Sequence, residues 1–342
     1  MKKILAIVLA AVMCFALASC GCDTNKADYT VGIVQFVQHD ALDQATKGFQ
    51  DALTAKMTEA GKTVTFDLQN ASGDTNQCST ISNKFVADNV DLIMANATPA
   101  LQAAFAATTN IPILATSVTE YGVALDIENF NGVTGTNVSG TSDLAPLDMQ
   151  AQMILDLVPT AKTVGLLYCS AEANSLYQVK VVQAYLEGKG ITCNSYPFEN
   201  SNELSQIALN AAAQCDAIYV PTDNTVASNA SLIAAACYPD GGKQVPVVAG
   251  EAGICTECGI ATLSIDYYKL GVKTGEMAAE ILLNGGDITK MPIQYDEEVV
   301  YKYNPEFCKK AGIVVPEGYV ALGEDAPAEE TDSEPASETV SE

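Results

Sequence analysis

The chain of 342 residues contains no arginine and no tryptophan, and its single histidine is His39. All 17 basic residues are lysines, against 42 acidic residues, which gives a formal net charge of -25. Nucleic-acid binding needs a basic face, so this composition argues against a nucleic-acid partner. Without arginine the chain also lacks the guanidinium fork that grips carboxylates and phosphates at two points. An acidic group on a ligand must therefore be held by backbone N–H groups, hydroxyls, amides or lysines.

Common catalytic motifs are missing as well. The sequence has no G-x-S-x-G elbow, no G-x-x-x-x-G-K-[ST] loop and no H-E-x-x-H pair. A solitary histidine forms neither a metal site nor a catalytic system. We therefore expect no catalytic residues, no cofactor and no metal site, and we predict that the protein is not an enzyme.

The N-terminus has the pattern of a secretory signal peptide. Lys2 and Lys3 precede an apolar run over residues 4–16, and small residues follow it up to Cys20. A cysteine directly after Leu-Ala-Ser resembles the lipobox of bacterial lipoproteins, which implies cleavage before Cys20 and lipidation of that residue. We expect a signal peptide over 1–19, a lipid anchor and linker over 20–28, and a mature protein anchored to the outer face of the bacterial cell membrane.

The eleven cysteines do not form an obvious disulfide set. Cys14 belongs to the leader and Cys20 is assigned to lipid, which leaves nine of the eleven, an odd number. Most are expected to be free buried thiols. Cys255 and Cys258 have the C-x-x-C spacing of a redox pair or half a zinc site, but no second pair follows. We interpret this segment as a loop with two thiols and leave open whether they form a local disulfide.

Between the leader and the tail, short apolar runs rich in β-branched residues alternate with helical patterns, which predicts parallel sheets covered by helices on both faces. The alternation breaks at a predicted loop over 121–141 and then starts again, so we predict an α/β protein with two Rossmann-like lobes. The first lobe is expected over 29–140, with residues 267–290 returning to it. The second is expected over 141–266, with about 291–320.

Several crossings between two such lobes would form a hinge, and ligands bind at the carboxyl ends of the strands in sheets of this kind. The chain is therefore expected to hold a ligand in an interlobe cleft. After the second lobe, residues 323–342 are acidic and rich in Pro, Ser, Thr and Ala, which predicts a disordered acidic tail.

Short segments spread over Tyr29 to Val320 carry a resemblance to a known family. These segments are Val31-Gly32-Ile33-Val34-Gln35 with His39 and Ala41-Leu42-Asp43, Asn96-Ala97-Thr98-Pro99-Ala100, Gly132-Val133-Thr134-Gly135-Thr136, Glu172-Ala173-Asn174-Ser175, Val220-Pro221-Thr222-Asp223-Asn224-Thr225, Gly250-Glu251, and Asp266-Tyr267-Tyr268 with Leu270-Gly271. In them the chain resembles the substrate-binding lipoproteins of ABC importers, in the group for tryptophan, tyrosine and phenylalanine uptake. The resemblance implies a type I periplasmic-binding-protein fold that closes on its ligand, a separate ATPase, an ABC permease as partner, and a monomer.

The candidate ligand-binding residues follow predicted strands or begin predicted helices. They are Gln35, Phe36, Thr98, Ser117, Glu172, Asn174, Ser175, Asp223, Asn224, Glu251, Asp266 and Tyr267. For the carboxylate of an amino acid, Thr98 and Ser117 offer hydroxyls and helix-start amides. For its ammonium group, we expect charge-assisted bonds from Asp223, Glu251 and Asp266. Helix capping is the alternative reading of all of these positions.

Aromatic side chains near the same segments can form the wall of a site for an aromatic ligand, or can pack in the core. The four candidates are Phe36, Tyr121, Tyr267 and Tyr268. A type I binding protein for a nucleoside, sugar or signalling molecule remains an alternative, and a lipid-anchored hydrolase is a more distant one. Sugar sites usually pair acids with arginine and tryptophan platforms, and the absence of both residues favours an amino acid.

Overall fold

The computed structural model describes residues 27–296 and 298–324. The predicted signal peptide, Cys20 and residues 325–342 of the predicted tail lie outside the described residues. Within the described ranges, no helix combines the length and the apolar character that crossing a membrane requires.

Thirteen strands lie in the described part of the chain. They are β1 (Tyr29–Gln35), β2 (Val64–Asn70), β3 (Leu92–Asn96), β4 (Ile113–Val118), β5 (Val138–Ser142), β6 (Thr163–Cys169), β7 (Thr192–Phe198), β8 (Ala217–Val220), β9 (Val247–Ala249), β10 (Ala261–Ser264), β11 (Gln294–Tyr295), β12 (Val300–Tyr303) and β13 (Val320–Ala321).

Twelve α-helices connect these strands within the described residues. They are α1 (Asp40–Glu59), α2 (Thr75–Asp88), α3 (Thr98–Ala107), α4 (Tyr121–Leu125), α5 (Leu147–Leu157), α6 (Ala173–Gly188), α7 (Ser201–Gln214), α8 (Asn224–Ala227), α9 (Ala230–Cys237), α10 (Ala252–Cys258), α11 (Tyr267–Asn284) and α12 (Pro305–Ala311). One 3-10 turn, Ile288–Lys290, precedes β11.

The strands form two sheets, one in each lobe, and this confirms the predicted two-lobed α/β architecture. The first sheet has the order β11-β5-β4-β3-β1-β2, and its strand pairs are parallel. The second sheet has the order β13-β12-β10-β9-β8-β6-β7, in which β12 runs antiparallel to β10. The central strands β3, β4 and β8 are buried at every position, as expected for parallel strands covered on both faces.

The chain passes between the lobes three times, after β5, after β10 and after β11. The second crossing returns α11 to the first lobe, where it packs against α1. Glycines allow the close approach of these helices, because a Cβ added at Gly271 would lie 2.1 Å from the Ala45 carbonyl oxygen. The last part departs from the expected boundary, since β11 pairs with β5 in the first sheet, whereas residues from about 291 were expected in the second lobe.

Part of the predicted loop over 121–141 is regular structure, which includes α4 and most of β5. The sequence of β5, Val-Ser-Gly-Thr-Ser, has one apolar residue, so its pattern gives no strand signal. Hydrogen bonds replace apolar contacts there, because the Thr141 hydroxyl bonds those of Thr116 and Thr274 at 3.0 and 2.9 Å. At Gly140, with φ of 147°, a Cβ would lie 1.9 Å from the Ala115 carbonyl oxygen, so this position requires glycine.

The C-x-x-C segment is also helical and not a loop, because Cys255 and Cys258 both lie on α10 with their side chains buried. All eight cysteines of the described residues are free, which agrees with the expectation of free thiols. Burial raises the pKa of Cys255 and Cys258 well above the ordinary thiol value. A thiol is the less reactive form, so neither side chain is poised for redox chemistry in this environment.

Candidate functional site

The carboxyl ends of three neighbouring strands in the first lobe place polar side chains at one edge of the sheet. Thr98 follows β3, Ser117 lies at the end of β4, and Asp143 directly follows β5. The register brings these ends side by side, because Asn96 pairs with Thr116 and Val118 pairs with Ser142. Strands in one sheet lie about 4.8 Å apart, so the three side chains share one edge.

Several buried polar atoms have no hydrogen-bond partner in the described ranges. One of them, Asn96 Oδ1 at the end of β3, belongs to an amide whose NH2 is held inside the first lobe by Leu42 and Thr46. Four others stand at the facing edges of the two lobes. They are Thr98 Oγ1, Ser117 Oγ, Asp143 Oδ1 and, from the start of α6 in the second lobe, Asn174 Oδ1. Buried polar atoms are nearly always paired, so a group of unpaired ones calls for an explanation. The group contains two hydroxyl donors and two oxygen acceptors, which are the complements of an anion and a cation.

The backbone next to the two hydroxyls is held in conformations that side-chain-bearing residues rarely adopt. Ser117 has φ of 56°, and Ala97, just before Thr98, has φ of 90°. Strained positions of this kind occur at functional sites. Helix α3 also begins at Thr98 without a side-chain cap, and Pro99 has no N–H to satisfy. The first-turn amides of α3 are therefore available to an anion.

Asp143 is the acidic group of this cluster, and the sequence analysis missed it. Its Oδ2 accepts a hydrogen bond of 2.9 Å from the Tyr267 hydroxyl, which comes from the second crossing between the lobes. Burial raises the pKa of Asp143 to about 6, against the opposing effect of the Tyr267 bond. The nearby Glu251 carboxylate raises it slightly further. A cationic ligand group beside Oδ1 would favour the ionised form.

The carboxylates of the second lobe are already engaged with their own lobe. Asp223, at the N-cap of α8, accepts from the backbone N–H groups of Cys169 at 2.7 Å and Val226 at 2.9 Å, and from the Ser175 hydroxyl at 2.8 Å. Glu251 caps α10 by accepting from the first N–H groups of that helix. For both residues the structure favours the capping alternative over a free ammonium ligand.

Burial alters the titration of these capping groups. It raises the pKa of Asp223 above the ordinary carboxyl range, and the neighbouring Glu172 carboxylate raises it further. It also raises the pKa of Glu251, against the lowering effect of His39. Three hydrogen bonds to Asp223 oppose this rise and only partly offset the desolvation.

Glu172 is a third engaged carboxylate, which joins the starts of α6 and α8. It accepts from Asn224 Nδ2 at 2.6 Å, from Thr225 N at 2.9 Å and Thr225 Oγ1 at 2.8 Å, and from Asn174 Nδ2 at 3.3 Å. Asn174 also donates to the Thr222 carbonyl oxygen at 3.0 Å, which directs its amide NH2 inward. This arrangement leaves Asn174 Oδ1 as the unpaired atom of the group.

The remaining predicted residues lie in several environments. Gln35 is held within the first lobe, because its amide bonds Asp43 Oδ1 and the Thr46 hydroxyl, each at 2.7 Å. Asp266 is exposed and caps α11 through the Lys269 N–H at 2.9 Å. Phe36 is a buried core residue that also lines an interlobe cavity of about 440 Å³ with Glu172.

Two of the four aromatic candidates lie away from the cluster. The buried Tyr121 hydroxyl donates to the Ala115 and Thr141 carbonyl oxygens, both at 3.0 Å, and is a core residue. Tyr268 is exposed on α11 and bonds Asp51 at 3.0 Å. Phe36 and Tyr267 reach the facing edges of the lobes, and Tyr268 lines a separate cavity between the lobes with Glu251.

Contacts across the cleft show that the lobes lie close together. Helix α4 of the first lobe packs against α6 of the second, and α1 packs against α10. His39 Nε2, just before α1, lies 3.3 Å from Asn224 Oδ1 at the start of α8. The arrangement is a closed one, in which the unpaired polar atoms of both lobes are shielded from water.

Two parallel-sheet lobes joined by a hinge, with unpaired polar atoms buried where their strand ends meet, define a two-lobed ligand-binding protein. Residues 30–325 match the family model described as ABC transporter substrate binding protein. The chain belongs to this family, as the resemblance predicted, and is a substrate-binding protein of an ABC transporter. The expected type I periplasmic-binding-protein fold is confirmed by the solved neighbours.

A curated relative is the tyrosine-binding protein of Clostridioides difficile (strain R20291). It is 34% identical over 325 residues, which cover 90% of this chain and 92% of the relative. A solved Streptococcus pneumoniae structure, described as an ABC domain in complex with L-Trp, has a TM-score of 0.78 at 32% identity, over 85% of this chain and 97% of that one.

A third comparison bears on the conformation. The ligand-free, open structure of a substrate-binding protein with adhesive properties from Clostridium difficile is 36% identical, over 86% of this chain and 99% of that one, but its TM-score is 0.64. The L-Trp complex therefore superposes better in spite of its lower sequence identity. Since lobe rotation changes the overall superposition more than sequence drift does, this difference agrees with the closed arrangement.

Proposed function

We propose that this protein captures an aromatic or related apolar amino acid in the interlobe cleft and presents it to an ABC permease. The observation that carries the proposal is the group of four buried, unpaired polar atoms at Thr98, Ser117, Asp143 and Asn174. A zwitterion brings one anionic and one cationic group, and together these satisfy all four atoms. The tyrosine-binding relative and the L-Trp complex support an aromatic ligand.

The carboxylate binds at the first-lobe edge. The Thr98 and Ser117 hydroxyls donate to it, and the uncapped start of α3 adds backbone N–H groups and the positive end of the helix dipole. This grip needs no guanidinium group, which suits a chain without arginine.

The ammonium group binds between the lobes. Asp143 Oδ1 supplies a buried carboxylate oxygen, and Asn174 Oδ1 supplies a neutral acceptor from the second lobe. Because these acceptors sit on opposite sides of the cleft, a ligand that bonds both of them stabilises closure. Asp143 takes the role that the sequence analysis gave to Asp223, Glu251 and Asp266.

A thermal-shift screen against the twenty amino acids, nucleosides and sugars tests this proposal. At a ligand concentration about 100 times Kd, an aromatic amino acid should stabilise the fold by about 2.7 kcal/mol and raise Tm by several degrees. Incubated ligand should be recovered unchanged by mass spectrometry. Stabilisation by a nucleoside or sugar alone, or conversion of the ligand, would contradict the proposal.

Members of this family work outside the cytoplasm, and we propose further that Cys20 anchors this one by lipid. The lipobox-like Leu17-Ala18-Ser19 before Cys20 supports the anchor. In a bacterial host, Cys20→Ser should move the protein from the membrane fraction to the medium or periplasm, while a Cys22→Ser control stays at the membrane. Equal membrane retention of both variants would count against the anchor.

A further inference from the structure

The lobes are joined across the cleft by one side-chain hydrogen bond. His39 of the first lobe and Asn224 of the second lie 3.3 Å apart, Nε2 to Oδ1. Among the residues that the structure describes, one further side-chain hydrogen bond links residues 29–142 or 267–295 to residues 147–264 or 298–324, and it joins Lys269 Nζ to Glu298 Oε2 at 2.6 Å beside the third crossing. The remaining polar bridges, such as Tyr267 to Asp143, lie at the hinge crossings.

The direction of this bond follows from its neighbours. Asn224 Nδ2 donates to Glu172 Oε2 at 2.6 Å, so the amide oxygen of Asn224 is the atom that faces His39. An amide oxygen only accepts, and the Nε2 atom of His39 must therefore carry the proton. A histidine can donate from Nε2 in its neutral form as well as in its charged form, so the bond does not require a charged ring.

Glu172 connects this bond to the ligand site. The same Oε2 atom that holds Asn224 also accepts from Asn174 Nδ2, which leaves Asn174 Oδ1 unpaired toward the ligand. The Glu172 carboxylate is fixed in turn by the Thr225 N–H and hydroxyl. One buried carboxylate thus sets the orientation of two amides, one for the ligand and one for the opposite lobe.

We infer that His39 and Asn224 form a clasp that slows ligand release, and that Glu172 is the positioning residue for its acceptor. The inference rests on the proposed function, because the clasp closes over the ligand of that site. His39 also lines a second cleft cavity of about 360 Å³ with Glu251 and Thr256 of the other lobe, so its ring lies within the interface.

The clasp forms only after the lobes have met, so its loss should act on dissociation more than on association. Breaking one hydrogen bond of ordinary strength corresponds to an increase of about 3- to 10-fold in the dissociation rate. Association of ligand with the open cleft should stay within about 2-fold of the wild-type rate.

L-Trp is a suitable probe, because the protein has no tryptophan and bound ligand is then the only indole in the complex. Stopped-flow fluorescence of the full mature chain should show faster L-Trp release from His39→Ala and from Asn224→Ala. The double variant should be no faster than the faster single one. His39→Gln keeps a side-chain N–H donor and should restore much of the loss, while Gln38→Ala, at the exposed neighbouring position, should behave as wild type.

Wild-type release from His39→Ala, or fully additive effects in the double variant, would overturn the clasp. Failure of the wild-type protein to bind L-Trp or any amino acid would instead remove the proposed function. In that case small-angle scattering of the ligand-free proteins decides on the clasp: a larger radius of gyration for His39→Ala than for Gln38→Ala supports it, and equal radii reject it.

Discussion

Both lobes place buried polar side chains at the cleft, but those of the first lobe lack hydrogen-bond partners and those of the second lobe have them. At the first-lobe edge, the Thr98 and Ser117 hydroxyls are buried without partners, and α3 starts without a side-chain cap. At the second-lobe edge, Asp223 and Glu251 have their oxygens committed to helix starts. The hydroxyls and helix amides of the first edge are thus free to bond an anion. The helix amides of the second edge are already bonded to carboxylates of the same lobe.

Under the proposed function, this contrast is the reason why the helix-capping carboxylates Asp223 and Glu251 do not bind the ammonium group. A carboxylate that accepts three hydrogen bonds contributes to the fold, and a ligand that competed for it would have to break them. The acceptor left over for a cation is Asp143, which stands at the first crossing between the lobes and belongs to neither capping set.

The largest expected effect is a loss of stability caused by a substitution in the second lobe. Asp223→Ala leaves two backbone N–H groups and the Ser175 hydroxyl without their acceptor, and should lower the free energy of unfolding by about 3 kcal/mol in urea denaturation. The exposed cap variant Asp266→Ala should lower it by about 1 kcal/mol. If the Asp223→Ala protein were stable but no longer bound ligand, Asp223 would be a ligand-binding residue and not a structural cap.

The next effect concerns the ammonium site. Asp143→Asn keeps an oxygen for the Tyr267 hydroxyl but removes the charge, and should raise Kd for the ligand by about 30-fold, equivalent to about 2 kcal/mol. Asp148→Asn makes the same chemical change at an exposed position five residues on, and calorimetry should find its affinity unchanged. Equal affinities for the two variants would assign the ammonium group elsewhere.

The pH should move affinity and stability in opposite directions. Because the pKa of Asp143 is about 6, falling pH protonates the group that binds the cation, and affinity should drop about tenfold between pH 7 and pH 5. The raised pKa values of Asp143 and Asp223 mean that the folded state binds more protons than the unfolded state in this range. The free energy of unfolding of the ligand-free protein should therefore increase as the pH falls from 7 toward 5, and decrease again as the pH returns to 7.

Calorimetric titrations and thermal melts at several pH values check both directions. In Asp143→Asn the affinity should become nearly independent of pH between 5 and 7. A wild-type affinity that stays constant over the same range would mean that Asp143 does not contact the cation.

The smallest effects are expected at the first-lobe hydroxyls. Thr98→Val and Ser117→Ala should each raise Kd about 5-fold, or about 1 kcal/mol, without loss of stability, because neither hydroxyl has a partner to lose. Thr262→Val is the matched control, since this hydroxyl in β10 is also buried and unpaired among the described residues. Its affinity should equal that of the wild type. A destabilised Thr98→Val protein would show that this hydroxyl serves the fold.

Much of the fold follows from local patterns. The run Ala217–Val220, for example, is one of the short apolar runs with β-branched residues, and it forms the buried strand β8. Strand β5 is not predicted from the sequence, because its burial depends on hydrogen bonds to threonine hydroxyls of other elements, which do not appear in the hydrophobic pattern. The position of β11 depends on which sheet edge is open after the second crossing, and this is a property of the assembled lobes.

The residues of the candidate site are likewise only partly predictable from the sequence. Thr98 and Ser117 are candidates from the sequence because polar residues after parallel strands lie at the edge where ligands bind in such sheets. The same rule selected Asp223 and Glu251, since capping and ligand binding favour the same residue types at the same places. Asp143 was missed because it follows the unrecognised strand β5. Only the count of hydrogen bonds at each oxygen separates a cap from a free acceptor.

The packing of α11 on α1 has a consequence for biogenesis. The lobe whose strands are synthesised first lacks one of its covering helices until residues 267–284 have been made, so it stays incomplete while the strands β6 to β10 of the second lobe are synthesised. Contacts this distant along the chain delay completion of the native state. The first half of the chain therefore cannot reach its final shape before the helix that follows the core strands of the second lobe is present.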